Sequence, residues 1–337
     1  MPIHIDSTLL ARIRLALRQA ARNFLLVPNI SLIDFGSPRH GGQIAEHEGA
    51  IRVHVYQKLD PVSLEYAVAA GETLPIPKYI GGFPTDVLEG KYRLQPTIFQ
   101  RVASSLPRRG GLPFSPSTSD SRARRADPLE GGISISSERH YTYGTLGGLV
   151  KDRASGAPMI LSNWHVLAGD WMAPPGQKIY QPGRLDGGNA GDTVATLTRD
   201  AMSVNLDAAV ASLTGSRRLI NHQFKLDRVN GVGQAQLGME VVKSGRRTDI
   251  TYGRVTGIEG VTRLTYGTLK RVIQGVITIE QRLFDETVSG PGDSGAWWLD
   301  TATHRAVGLH FAGSNDPERA LALDMGRVLD ALQVDIV

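Results

Sequence analysis

Gly290-Pro291-Gly292-Asp293-Ser294-Gly295-Ala296 sets a serine between two glycines, with an aspartate directly before it. These residue types suit a hydroxyl nucleophile on a tight turn. The glycines let the backbone bend and let a substrate carbonyl come close. The amides of Gly292 and Ser294 can then point at one spot beside the Ser294 oxygen. Such an oxyanion hole stabilises charge that develops in the transition state, one donor being worth about 2.7–4 kcal/mol of barrier. Gly-Asp-Ser-Gly is also ordinary turn chemistry between strands, so the nucleophile needs partners elsewhere in the chain. A serine hydroxyl attacks only when a base removes its proton and a third group holds that base. His165, in Leu161-Ser162-Asn163-Trp164-His165-Val166-Leu167-Ala168, offers the base. It follows the apolar run Met159-Ile160-Leu161, which reads as a short buried strand, so it stands where a strand ends. Leu206-Asp207-Ala208-Ala209-Val210-Ala211 offers a carboxylate at the opening of an apolar strand. Asp200 is its rival, in a more polar setting. Asp207 is preferred because burial makes a carboxylate better able to orient a ring.

In the order His165, Asp207, Ser294, these three segments resemble the trypsin-like (chymotrypsin-fold) serine peptidases, most closely cysteine-free bacterial members, over roughly residues 140–337. The resemblance implies tandem six-stranded β-barrels of chymotrypsin type. His165 and Asp207 would come from the first barrel and Ser294 from the second. It implies that Ser294 attacks the peptide carbonyl, that His165 shuttles the proton, and that Asp207 fixes the imidazole tautomer. In activated members the aspartate before the serine pairs with a freshly cut N-terminal amine. The usual activation sequence, a basic residue before Ile-Val-Gly-Gly, is missing here, so either Asp293 finds another donor or an unorthodox cut, for example after Glu130, supplies one. The residue six before the nucleophile sits at the base of the family's specificity pocket. Here it is Val288, which argues against a preference for Arg or Lys. Gly308-Leu309-His310-Phe311-Ala312-Gly313 puts a histidine on a pocket-wall strand, a Gly-x-His context in which relatives bind an acidic or amide side chain. His310, Val288 and Gly313 are therefore the expected substrate-binding residues, with Glu or Gln expected before the cut.

The elements that must position these residues follow from pattern. From residue 140 the chain alternates short apolar runs with glycine turns, the signature of a barrel or sandwich. Glu240–Lys243, Val272–Glu280 and Ala306–Phe311 are examples, and Asp324–Leu332 has helical spacing. The hairpin spanning Val242–Thr248 and Tyr252–Val255 reads as structural. Residues 1–95 read as a small α+β domain, with a helix over 7–22 capped by Asp6 or Ser7 and strands at Asn29–Phe35 and Ala50–Tyr56. Arg12, Arg14, Arg18 and Arg22 fall on the helix face expected to meet solvent. Residues 96–135, rich in Pro, Ser and Arg, read as a linker, and the catalytic domain as 136–337. Residues 1–95 resemble the extra N-terminal domain of some intracellular bacterial relatives, which implies a surface for a regulatory protein partner.

Composition narrows the function classes. The 337 residues give a prior of two domains, and 41% hydrophobic content supports real cores. The absence of cysteine fits a reducing compartment, so a cytoplasmic bacterial protein is expected. No run approaches the ~20 apolar residues of a membrane span, and the first residues lack the apolar core of a signal peptide. The net charge of +4 is mild and does not argue for nucleic acid. The nine histidines are scattered, so no metal or other cofactor is expected. His40, His47 and His54 read as surface or strand residues. The function expected is a serine endopeptidase acting on protein or peptide substrates. The alternative is a catalytically silent barrel module used for binding.

Overall fold

The computed structural model describes residues 5–45, 47–94, 121–283 and 286–337. α1 (Ser7–Phe24) starts where the Asp6 carboxylate accepts from the Leu9 amide at 2.8 Å. Ile13, Ala16, Leu17, Ala20 and Phe24 form its buried stripe, the spacing that 3.6 residues per turn dictates. The arginine face is divided rather than wholly solvated, since Arg14 reaches Glu259 at 2.8 Å. β1 (Ile30–Gly36) and β2 (Ala50–Val55) pair antiparallel. α2 (Pro61–Ala69), an element the sequence reading lacked, is capped by Asp60. It leads to β3 (Phe83–Glu89), which lies parallel to β2, and then to the short β4 (Arg93–Leu94). No helix among the described residues is long and apolar enough to cross a membrane.

The first barrel contains β5 (Ser134–Ser137), β6 (Gly144–Thr145), β7 (Gly148–Asp152), β8 (Pro158–Ser162), β9 (Lys178–Tyr180), β10 (Thr193–Asp200) and β11 (Ala209–Leu213). They pair in the order β6-β5-β9-β10-β11-β8-β7. β6 and β7 are one run, bent at residues 146–147. There the Leu146 amide donates to the Ile133 carbonyl at 2.8 Å and the Gly147 amide to Leu161 at 3.1 Å. The run thus joins both ends of the path and closes the sheet on itself, which removes its open edges. α3 (Trp164–Leu167) is a single turn after β8.

The second barrel contains β12 (Glu240–Gly245), β13 (Asp249–Tyr266), β14 (Leu269–Glu280), β15 (Trp297–Asp300), β16 (Ala306–Asn315) and β17 (Glu318–Asp324). Their order is β12-β15-β16-β17-β14-β13, and β12 also pairs with β13, so this ring closes too. The protein is mainly β, with two six-stranded barrels in tandem, of chymotrypsin type. α4 (Met325–Leu332), capped by Asp324, turns the chain back so that β18 (Val334–Ile336) joins β7 of the first barrel.

The α+β unit at the N-terminus shares a sheet with the second barrel. β13 is 18 residues long, where barrel strands need about half that. Its surplus pairs with β1, from Leu32↔Thr262 to Gly36↔Gly257. A buried polar cluster bridges the same seam. Asp34 on β1 accepts from Arg52 Nε at 2.7 Å and Nη2 at 2.5 Å, and from Thr278 Oγ1 on β14 at 2.7 Å. Burial alone would raise the Asp34 pKa, but Arg52 and His54 hold it well below the carboxylate range.

The linker expected through residue 135 ends earlier. Arg122 is buried and donates to the Gly132 carbonyl at 2.9 Å and to Ser244 Oγ at 2.6 Å. Leu129–Gly131 pairs parallel with Leu219–Gln223, and residues 134–137 are β5. The basic, proline-rich composition misled because an arginine can bury its stem when its head finds carbonyl and hydroxyl partners. Residues 96–120, with Arg108-Arg109, lie outside the described residues.

Candidate active site

β8 carries the chain to Ser162, and α3 swings His165 over the mouth of the first barrel. Asn163 secures this turn by donating its Nδ2 to the Asp207 carbonyl at 2.7 Å. Asp207 is fully buried just before β11. Its Oδ2 meets His165 Nδ1 at 2.5 Å, and its Oδ1 accepts the His165 amide at 3.1 Å. A carboxylate at Nδ1 selects the tautomer with the proton there, which leaves Nε2 as the basic nitrogen. Nε2 is buried and has no hydrogen-bond partner among the described residues. Asp200 instead accepts from the Met202 amide at 2.9 Å and takes no part in holding the ring.

Ser294 stands on a turn pinned from several sides. Thr145 donates its amide to the Ser294 carbonyl at 2.8 Å and its Oγ1 to the Gly292 carbonyl at 2.9 Å. Gly292 and Gly295 have φ of 111° and 99°. Only glycine takes such values without strain, and a Cβ on Gly295 would stand 2.1 Å from Ser162 Oγ. Ser294 and His165 line one cavity of about 240 Å³, walled by Trp164, Trp171, Tyr266 and Leu94. No hydrogen bond joins Nε2 to the Ser294 oxygen.

Asp293 has its donor within the chain. It is fully buried, and its Oδ2 pairs with Lys243 Nζ at 2.8 Å, the lysine being equally buried. Thr248 Oγ1 donates at 2.5 Å, and the Arg247 and Gly290 amides donate at 2.8 and 3.0 Å. Burial would raise this carboxyl, but Lys243 and, after it, His310 bring it down to about 2. The Lys243 ammonium is itself pulled below its ordinary value, burial outweighing Asp293. The β12–β13 hairpin, read from the sequence as structural, supplies Lys243, Arg247 and Thr248.

The three expected specificity residues lie apart from the His165–Ser294 cavity lining. His310 is fully buried on β16, edge-on to Trp298 with ring centroids 6.2 Å apart. Burial first, and then Lys243, push it down to about 3, so it is neutral at physiological pH. Val288 packs in the core with Ile279 and Trp298, and its carbonyl accepts from Thr251 Oγ1 at 2.8 Å. Gly313 pairs with Ala320 on one side and with Arg93 on the other.

The sequence reading missed Tyr266. Its hydroxyl donates to Asp207 Oδ2 at 2.9 Å, from the end of β13. Burial and the Asp207 charge raise the phenol well above its ordinary pKa, so it remains a donor. Nothing in Leu264-Thr265-Tyr266-Gly267 says that this hairpin reaches across to the first barrel. Lys243 did leave a signal: a lone charge after Val241-Val242, at a strand position that faces inward.

No family model and no curated protein matches the chain. Solved structures resemble it at low identity. Cellulomonas bogoriensis chymotrypsin is 19% identical with a TM-score of 0.46, over 62% of this chain and 98% of that one. The Nocardiopsis protease NAPase is 16% identical at 0.46, over 61% and 97%. A glutamic acid-specific serine protease, described as using a histidine triad in substrate binding, is 18% identical at 0.46, over 62% and 100%. The fold class rests on the strand registers given above.

Proposed function

We propose that the chain is a serine endopeptidase that cuts peptide bonds through His165, Asp207 and Ser294. The observation that carries this reading is the His165–Asp207 pair, 2.5 Å apart, opening into the cavity that Ser294 also lines. Ser294 Oγ would attack the substrate carbonyl as Nε2 takes its proton. Asp207 would stabilise the resulting imidazolium, and the Gly292 and Ser294 amides the oxyanion. Nε2 then gives the proton to the leaving amine, and water repeats the sequence on the acyl-enzyme. The Lys243–Asp293 pair supports activity without a prior cut, since the aspartate already has its cation. A fluorophosphonate probe should label the wild type and not Ser294→Ala. That substitution should lower turnover on the order of a million-fold, because the three groups act as one unit and losing the nucleophile removes nearly all of their contribution. Absence of labelling in the folded wild type would refute the reading.

For the residue before the cut we propose Gln above Glu. Burying an amide costs less than burying a carboxylate, and His310, neutral at physiological pH, supplies no cation to offset the latter. A peptide library varied at that position tests this, and equal turnover of Gln, Glu, Leu and Arg substrates would remove it.

A further inference from the structure

A strand of the chain's own backbone lies along the edge of β16, beside the nucleophile. β17 holds one edge of β16 from Gly308 to Asn315. The other edge pairs with β15 through Trp297↔Leu309 and Trp298↔Gly308. It then meets the nucleophile turn, where Gly295 donates to His310 and His310 to Ala296, each at 2.9 Å. Past that turn the edge is taken by β4, with Ala312 opposite Leu94 and Gly313 opposite Arg93, antiparallel. A free sheet edge accepts an extended peptide in this way, backbone to backbone.

Direction decides what such a strand resembles. β16 runs away from the nucleophile turn between His310 and Gly313, so β4, running against it, travels toward Ser294. A peptide in this register sets one residue against Gly313 and the next against Ala312. The residue after that brings its carbonyl to the serine. Leu94 therefore holds the place of the second residue before the cut. Its side chain lines the His165–Ser294 cavity together with Trp164, Trp171 and Tyr266. The strand is anchored just upstream, where the buried Tyr92 hydroxyl bonds His54 Nδ1 at 2.8 Å.

We infer that β4 is a pseudosubstrate strand: it closes the peptide groove in cis, and the pocket it fills selects a bulky aliphatic residue second before the cut. This rests on the endopeptidase reading. A tethered segment acts at an effective concentration on the order of millimolar, so even a weak strand competes with dilute peptide. Apparent affinity then falls with the fraction of open groove.

The test uses the full chain as wild type, Leu94→Asp and Leu94→Ala. Each is assayed with a fluorophosphonate probe and with fluorogenic peptides carrying Leu, Gly or Asp second before the cut. The probe should label all three proteins. With the Leu peptide, KM should fall about tenfold or more in Leu94→Asp, and less in Leu94→Ala. Their kcat/KM with the Leu peptide should rise as KM falls. The Leu peptide should exceed the Gly peptide by about tenfold or more in kcat/KM, the worth of burying that side chain. Unchanged KM in both variants, a fall in kcat alone, or no peptide turnover by any labelled protein would overturn the inference. Failure of the probe on all three would instead refute the endopeptidase reading, and this inference with it.

Discussion

Ser294, His165 and Asp207 could be singled out as candidates because each has a distinctive local setting: a glycine turn, a strand end and an apolar strand's opening. Of their orienting partners, Tyr266 was not legible because it acts across a long separation in the chain, and Lys243 left only a lone charge after Val241-Val242. Tyr266→Phe removes a hydroxyl bonded to the Asp207 carboxylate. A hydrogen bond to a charged group is worth about 1.5–3 kcal/mol. We expect kcat to fall about tenfold with KM unchanged, as steady-state kinetics on a peptide substrate would show. Lys243→Met strands Asp293 as a buried charge without its cation. Breaking such a pair costs about 3–5 kcal/mol, so the variant should unfold at markedly lower denaturant and lose activity. The pH dependence has a definite sign. The Asp293 carboxyl lies at about 2 in the fold and ordinarily at 3.8. Its stabilising contribution is therefore complete above pH about 4 and is lost as pH falls toward about 2. Acid titration of wild type beside Asp293→Asn checks this. A wild-type midpoint no more acid-sensitive than the variant's would contradict it.

Most strands of both barrels were legible because short apolar runs and glycine turns are local properties, whereas β5, β9 and β17 were not read. Val272–Glu280, for example, falls inside β14, and Asp324 caps α4 where the pattern placed a helix. What the pattern could not give was length put to use. β13 reads as several glycine-punctuated pieces, yet it is one strand with shifted registers at Gly257 and Gly260. Bulges of this kind bend a strand while keeping it paired. The bent hairpin spans from β12 at one end to Tyr266 at the other, so it reaches both Asp293's cradle and Asp207's hydroxyl donor. α2 was missed for a different reason. Its apolar residues, such as Leu64, do not build a buried face, and the helix has no buried residue. Its start rests on Asp60, whose Oδ1 accepts from the Val62 and Ser63 amides at 3.0 and 3.1 Å. Asp60→Ala should loosen the first turn of α2 by removing its N-cap acceptor. Hydrogen exchange would detect this as faster exchange over Pro61–Ala69 with the barrels unaffected.

Composition suggested a separate N-terminal unit, and strand pairing joins that unit to the second barrel. The two ideas differ in a measurable way. α1 buries Ile13 and Leu17 in the same core cluster as Val255, Val261 and Ile279 of the second barrel. β1 pairs with β13, and Asp34 collects Arg52, His54 and Thr278 at that seam. Arg52→Met would leave the Asp34 charge buried without its main partner, at a cost of about 3–5 kcal/mol. Because the seam is continuous sheet, the loss should be felt by both sides together. Tryptophan fluorescence from Trp297 and Trp298, both fully buried in the barrel region, should shift its unfolding midpoint by the same amount as exchange protection across β1 and β2. Coincident probes are the mark of one cooperative unit. If β1 and β2 lost protection while the tryptophan transition stayed at the wild-type midpoint, the N-terminal unit would be folding by itself and the seam would be a docking contact. The same measurement bears on the groove, since β4 hangs from this unit through Tyr92 and His54. A seam that loosens as one body with the second barrel would keep β4 in register with β16 until the Ser294 turn itself unfolds.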